Sequence, residues 1–116
     1  MVALVTLDDV NFRLRLDLER SEGEEEAGEF TDDRVPGFER LIEDATGIVL
    51  DYLKTDGSQW TLNPGEEEGE DAPSAVPAPV TAAIILVVRN LYDEVEEPLS
   101  PAVKSLLYRL RDPALA

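Results

Sequence analysis

The sequence predicts a mainly α-helical protein, a small four-helix domain that carries two long acidic loops. Apolar residues recur at three- and four-residue steps through most of the chain, which is the period of amphipathic helices. Two Gly-containing segments, residues 20–30 and 63–78, are rich in carboxylates and almost free of large apolar side chains, which is typical of solvated loops. The 116 residues suffice for one domain, so we expect residues 1–116 to fold as a single unit.

The first helix is predicted from Leu7 to about Leu14. Thr6 precedes it and Asp9 follows three residues later, an arrangement similar to a capping box. Apolar and charged residues then alternate, and this pattern favours an extended stretch up to Leu18.

The second helix has the clearest pattern, with one apolar face that continues over five turns. Asp33 can cap its start, and Pro36 is compatible with the helix only within the first turn. Asp56-Gly57 is a turn signal that ends the element. The members of the apolar face are Val35, Phe38, Leu41, Ile42, Ala45, Ile48, Val49, Tyr52 and Leu53.

A short extended segment is expected at residues 59–62, which read QWTL. It contains Trp60, the only tryptophan of the chain, between a turn and the second acidic loop. Trp60 is interpreted either as a core residue or as a contact with a neighbouring chain.

The third helix, from about Pro79 to Glu94, is apolar on nearly all sides. Such a helix must be covered all round. Two interpretations stay open: the central helix of a small bundle, or a helix with one side in the core and the other against another subunit. One face carries Val80, Ala83, Ile84, Val87 and Leu91, and the other side carries Ile85, Leu86 and Val88.

The fourth helix and the C-terminal tail are assigned to residues 100–116. Ser100 is a favourable N-cap and Pro101 fits the first helical position. Apolar residues follow at helical spacing, and the helix is expected to continue to Asp112-Pro113.

The charge and the missing residue types exclude several function classes. Ten Lys and Arg against 26 Asp and Glu give a net charge of −16, which disfavours binding to nucleic-acid phosphates or to anionic membranes. There is no Cys and no His, so the commonest nucleophile–base pairs and metal ligands are missing. The acidic run at residues 66–71 lacks the ligand spacing of a calcium loop. We therefore expect no enzymatic activity, no cofactor and no metal, in a soluble chain made in the cytoplasm.

The acidic loops admit three interpretations. High charge alone keeps a small protein soluble. Carboxylates can also line a surface along which nucleic acid slides without binding. As a third possibility, the carboxylates imitate phosphates for a basic partner.

The order of the segments resembles the small head–tail connector (adaptor) proteins of long-tailed double-stranded DNA phages and their prophages. The resemblance covers nearly the whole chain. It is carried by TLDDVNFRLRLD (residues 6–17), RVPGFERLIEDATGIVLDYL (34–53), PAPVTAAIILVVRNLYDE (77–94) and LSPAVKSLLYRLRDPALA (99–116). Its most specific parts are RNLYDE at residues 89–94 and the stretch 101–111, whereas the acidic loops are longer than the family pattern.

The resemblance implies a ring-forming structural protein of the virion without enzymatic activity. In this family, usually twelve copies form a ring below the portal. The ring extends the DNA channel and joins the head to a stopper or tail-completion protein in the head–tail neck. The implied partners are therefore further copies of the chain, the portal protein and a stopper or tail-completion protein, while DNA passes without specific binding and no membrane is involved.

Three groups of candidate residues follow from this resemblance together with the residue patterns. The subunit-interface candidates are Ile85, Leu86, Val88, Tyr92 and Trp60. The portal-docking candidates are Leu107, Tyr108, Leu110, Arg111 and Leu115. The channel-facing candidates are Glu66, Glu67, Glu68, Glu70 and Asp71.

Two other function classes remain as alternatives. The first is a small acidic inhibitor or DNA mimic that binds a basic nucleic-acid enzyme as a monomer or dimer. The second is a helical bundle with a protein-binding groove along residues 80–91.

Overall fold

The computed structural model of the chain describes residues 4–20, 29–65 and 72–110. The mainly α-helical fold class is confirmed over these residues, since helices dominate and the strands are few and short. The elements in chain order are α1 (Leu7–Leu14), α2 (Val35–Leu53), β1 (Trp60–Thr61), β2 (Ser74–Ala75), α3 (Ala78–Tyr92) and α4 (Pro101–Leu107).

Helix α1 begins and ends where the sequence predicts. The hydroxyl of Thr6 caps its start by accepting a hydrogen bond from the backbone N–H of Asp9 at 3.1 Å. Arg15 ends the helix in the left-handed conformation, at φ 54°. The side-chain carbonyl of Asn11 accepts a hydrogen bond from the backbone N–H of Leu18 at 2.9 Å. This bond holds residues 15–18 against α1.

Helix α2 has the expected length, but the expected cap is wrong. Pro36 lies in the first turn, as required, but Asp33 makes no capping hydrogen bond. The carboxylate of Asp32 accepts instead from the backbone N–H of Arg34 at 2.9 Å. It also accepts from the backbone N–H of Glu19 at 3.1 Å and so fixes the approach to the helix rather than its first turn.

The two short strands form a parallel pair in which Trp60 lies opposite Ser74 and Thr61 opposite Ala75. The extended segment at β1 is thus confirmed. Its partner β2 lies within residues 63–78, which the sequence assigned to loop throughout, and this assignment needs correction. The backbone N–H of Ser74 donates to the carbonyl of Gln59 at 3.0 Å, so the pairing satisfies groups that an open loop would leave to water.

Helix α3 is the central helix of the fold. It packs most extensively against α2, then against α4, and its remaining side meets α1. Over the described residues α3 therefore has the position that the first interpretation predicts, the centre of a small bundle, and Tyr92 at its C-terminal end is the large hydrophobic side chain of this helix that stays exposed. Its buried residues are Val80, Ala83, Ile84, Ile85, Val87 and Val88.

Helix α4 begins as predicted and ends earlier. Ser100 is the N-cap, and its hydroxyl accepts from the backbone N–H of Val103 at 3.5 Å. Val103 and Leu107 are fully buried in the core. The helix ends at Leu107 rather than near residue 112, because the apolar face that packs against α3 ends there and residues 108–110 form turns.

The molecule is flat, with extents of 49 × 42 × 19 Å. Its thickness corresponds to two helix diameters of about 10 Å each. No helix among residues 4–20, 29–65 and 72–110 combines the length and the apolar character needed to cross a membrane.

Candidate functional site

An apolar groove opens where the first turns of α2 meet the end of α3. We call it the aromatic groove; its volume is about 360 Å³ and it is lined by Arg34, Gly37, Phe38, Leu41 and Tyr92. The rings of Phe38 and Tyr92 stack with their centroids 5.2 Å apart and their planes at 26°. Phe38 is 2% exposed and Tyr92 is 55% exposed, so the stack is anchored in the core on one side and open to solvent on the other.

A smaller cavity of about 160 Å³ extends the aromatic groove towards the end of α1. It shares Phe38 and Tyr92 with the groove, and its further walls are Leu14, Leu16 and the charged pair Arg89 and Asp93. Side chains from α1, α2 and α3 therefore line adjoining cavities that share the stacked rings of Phe38 and Tyr92. The structure places these cavities beside the C-terminal end of α3, where the sequence locates the RNLYDE motif.

Arg34 borders the aromatic groove and Arg89 borders its smaller extension, and each arginine is paired with a carboxylate. The guanidinium of Arg34 lies 2.9 Å from the carboxylate of Asp32, and it also donates to the carbonyl of Leu16 at 3.1 Å. Arg89 Nε lies 3.5 Å from Asp93 Oδ2, one helical turn away. The border is thus close to neutral, in contrast to the chain as a whole.

The pair of Asp32 and Arg34 is electrostatically well defined. Hydrogen bonds from the Arg34 side chain, and then from the backbone N–H groups of Arg34 and Glu19, hold the pKa of Asp32 far below its ordinary value. The same side-chain hydrogen bond raises the pKa of Arg34. Both groups are therefore charged at neutral pH, and their pairing holds the Arg34 guanidinium beside the groove.

The chemistry available in the groove is recognition of apolar surface. Its walls are mostly carbon, and aromatic rings with an open face bind apolar side chains well. Among residues 4–20, 29–65 and 72–110, no three Asp or Glu side chains converge closely enough to hold a metal ion.

The structure separates the five subunit-interface candidates. Ile85 and Val88 are buried in the core, so they present no surface to a neighbour in this conformation and leave the candidate set. Leu86 and Trp60 are half-buried. Tyr92 is the candidate that reaches the surface, and it forms the open wall of the aromatic groove.

The portal-docking candidates divide in the same way. Leu107 is fully buried, so it holds α4 in place instead of contacting a partner. The exposed side chains around it, Leu106, Tyr108, Arg109 and Leu110, are named here the C-terminal patch. Tyr108 is 59% exposed and Leu110 is 40% exposed. The guanidinium of Arg109 donates to the hydroxyl of Tyr108 at 3.1 Å, which orients the ring.

The remaining candidates lie outside the described residues. These are the portal-docking candidates Arg111 and Leu115 and all five channel-facing carboxylates of residues 66–71. At the other acidic loop, the described flanks come together: Arg20 and Phe30 form an antiparallel bridge, and the Arg20 guanidinium lies 3.9 Å above the Phe30 ring. Arg20 also pairs with Asp8 of α1.

The sequence pattern does not identify most of the groove. It places Phe38 and Leu41 on the core face of α2, and it gives Arg34 and Leu16 no role in a site. Two signals are present in the sequence: the apolar face of α2 begins in its first turn, and the RNLYDE motif places a tyrosine at the end of α3. Comparisons of the chain with protein-family models, with curated proteins and with solved structures gave no match.

Proposed function

We propose that this chain is a structural subunit of a phage head–tail connector, without enzymatic activity. The observation that carries the proposal is the presence of two different exposed apolar surfaces, the aromatic groove and the C-terminal patch, on one small acidic chain. A closed ring of identical subunits needs two different, complementary surfaces on every copy. The resemblance of the whole chain to connector proteins supports the same assignment.

The net charge of −16 suits a ring through which DNA must pass. Carboxylates that face a channel repel phosphates, and this repulsion prevents the counterion release that drives DNA binding. We assign this role to the acidic run Glu66, Glu67, Glu68, Glu70 and Asp71. In this proposal the chain is made in the host cytoplasm and resides in the virion neck.

The contact with the portal is assigned to the C-terminal end of the chain, with Arg111 and Leu115 as the contact residues. Deleting residues 111–116 should abolish attachment to purified portal while the helical circular dichroism stays unchanged. Attachment that survives this deletion would contradict the portal assignment and leave ring formation untouched.

Light scattering combined with negative-stain imaging tests the proposal as a whole. The chain alone at high concentration, or mixed with the portal protein, should give ring-shaped particles with a central opening. A chain that stays monomeric in the presence of portal would contradict a connector role.

The acidic run provides a second test, which concerns the channel. Replacing Glu66, Glu67 and Glu68 with Lys should slow DNA packaging or ejection, because the channel would then attract phosphates. Rings that form normally and pass DNA at the original rate would show that these residues do not face the channel.

The high density of carboxylates also favours a second candidate function, a DNA mimic that blocks a basic nucleic-acid enzyme. That function requires a monomer or dimer that competes with DNA for the enzyme. Two measurements therefore distinguish the proposals: competition with DNA for a basic DNA-binding enzyme, and the size of the particles. Competition by a monomer or dimer would favour the mimic, and ring-sized particles would favour the connector.

A further inference from the structure

We propose that the aromatic groove of one copy binds the C-terminal patch of a second copy, so that the chain associates head to tail. This inference deepens the proposed function, on which it rests, by naming the two surfaces that would meet in the ring.

The groove has the form of a receptor for apolar side chains. Its volume of about 360 Å³ lies at the lower end of the range of ligand pockets, so it fits a few side chains rather than an entire helix. Tyr92 stacks on Phe38, which is itself buried in the core, so the wall is held in place before anything binds. A preorganised aromatic wall lowers the entropic cost of association.

The C-terminal patch has the form of the matching ligand. Val103 and Leu107 are buried and hold α4 on the core, which leaves the residues between and after them at the surface. Leu106 lies in the last turn of α4 and Leu110 in the turns that follow it, and both side chains are exposed. With Tyr108, they present two aliphatic groups and one ring, which is the composition the groove can accept.

The charges of the two surfaces favour a contact between copies. Residues 98–111 contain Lys104, Arg109 and Arg111 and not a single Asp or Glu, although the chain carries 26 carboxylates. On the groove side, Asp93 lines the smaller cavity that extends the groove, and the residues that follow it in the chain include the exposed Glu94, Glu96 and Glu97. The arginines that border the groove and its extension are already paired with carboxylates, so they oppose a cationic partner only weakly. Opposite charges around an apolar centre determine which surfaces associate.

Disulfide trapping tests this contact directly, because the chain has no cysteine of its own. Gly37 lies in the groove, and a Cβ at this position meets no atom within 4 Å, so Gly37→Cys is compatible with the fold. Leu110→Cys places the second thiol in the patch. When the two single variants are mixed under mild oxidation at low salt, we expect a disulfide-linked pair on a non-reducing gel. Combining both changes in one chain should give a ladder of products.

A matched control uses Ser58→Cys, which is exposed in the connection between α2 and β1. Its mixture with Leu110→Cys should give at most a tenth of the product, since random collisions alone join the two thiols. A yield equal to that of Gly37→Cys would overturn the proposal. Gly37→Cys that links mainly to itself would also overturn it, because that product requires a symmetric contact.

A charge variant gives an independent measurement. Arg109→Glu should weaken self-association at least tenfold, by reversing the charge beside Tyr108. Lys54→Glu makes the same change in net charge at an exposed position after α2 and should leave self-association within about twofold of the original. Equal effects of the two variants would show that net charge alone controls association and would contradict the assigned contact.

The outcomes separate this inference from the proposed function. Ring-shaped particles without the crosslink between positions 37 and 110 would overturn the contact and leave the connector proposal standing. A specific crosslink in a chain that forms only open filaments, with or without portal, would support the contact and contradict the connector.

Discussion

At the scale of single residues, Asp32 is the acid that joins the extended segment after α1 to the start of α2. Its carboxylate accepts from two backbone N–H groups and from the Arg34 side chain, and these hydrogen bonds lower its pKa. We expect Asp32→Asn to lower the midpoint of thermal unfolding at pH 7. Asp33→Asn, the same change at an exposed neighbour, should have almost no effect.

The pH dependence of this difference follows from the direction of the shift. Because the pKa of Asp32 is lower in the folded than in the unfolded chain, its contribution to stability is complete above the unfolded pKa of about 3.9. It is lost as the pH falls further towards the folded pKa. The stability gap between the original chain and Asp32→Asn should therefore be constant from pH 7 to about 5 and narrow below about pH 4. A gap that widens in acid would show that another group controls it.

Three glycines allow backbone and packing costs to be measured separately. Gly57 has φ +79°, and an added Cβ would lie 3.1 Å from Leu50 Cδ2, so Gly57→Ala combines a left-handed backbone with a tight contact that Leu50 must relieve. We expect a loss of about 2 kcal/mol, of which about 1 kcal/mol comes from the backbone. Gly65→Ala has φ +95° but open space, and should show the backbone cost alone.

At Gly37 we expect the opposite effect of an alanine substitution, a gain in stability. Gly37 lies in the first turns of α2 with open space around its Cβ position, so Gly37→Ala should stabilise the chain by about 0.5–1 kcal/mol. Urea unfolding of the three alanine variants measures their free energies of unfolding and so ranks them by stability. A destabilised Gly37→Ala would mean that its neighbours in the groove approach more closely than the structure shows.

At the scale of elements, the threonine that caps α1 and the serine that caps α4 differ in hydrogen-bond length. Thr6 accepts from Asp9 at 3.1 Å, whereas Ser100 accepts from Val103 at 3.5 Å, near the limit for a hydrogen bond. We therefore expect Thr6→Ala to cost about 1 kcal/mol of unfolding free energy and Ser100→Ala clearly less. Thr6→Ser keeps the acceptor and is the control. Equal losses at both positions would indicate that α4 depends on its cap as strongly as α1 does.

The helices could be predicted from the sequence because their signals are local. The Thr6 cap, the nine-residue apolar face of α2 and the Ser100-Pro101 start each lie within the element that they define. Strand β2 could not be predicted, since two residues have no periodicity and their partner at Trp60 is distant in the chain. The end of α4 at Leu107 could not be predicted either, because it depends on how far α4 packs against α3.

At the scale of the whole molecule, the two interpretations of α3 stay open at the level of the sequence for a general reason. Its apolar circumference was measurable from the sequence, but whether a chain of this size can cover it depends on how three other helices are arranged around it. The candidate site could be predicted only in part, for the same reason. Tyr92 was identified from the sequence, but its stacking on Phe38 requires knowledge of how α2 and α3 are aligned.

The net charge of −16 affects the stability of the folded chain as a whole. Like charges are closer together in the folded than in the unfolded state, so repulsion among them lowers the unfolding free energy. Salt at about 1 M shortens the screening length to about 3 Å and removes most of this repulsion. We therefore expect the midpoint of thermal unfolding at pH 7 to rise by several degrees between low and high salt.

A charge variant makes this prediction specific. Glu96 and Glu97 are exposed between α3 and α4, and replacing both with Gln removes two negative charges. The variant should unfold at a higher temperature than the original chain in low salt, and the difference should vanish near 1 M salt because screening then acts on both. Lys54→Gln removes a positive charge instead and should lower the midpoint in low salt. If the gain of the double variant persisted at high salt, it would have to come from local structure in this connection, and the self-repulsion argument would fail.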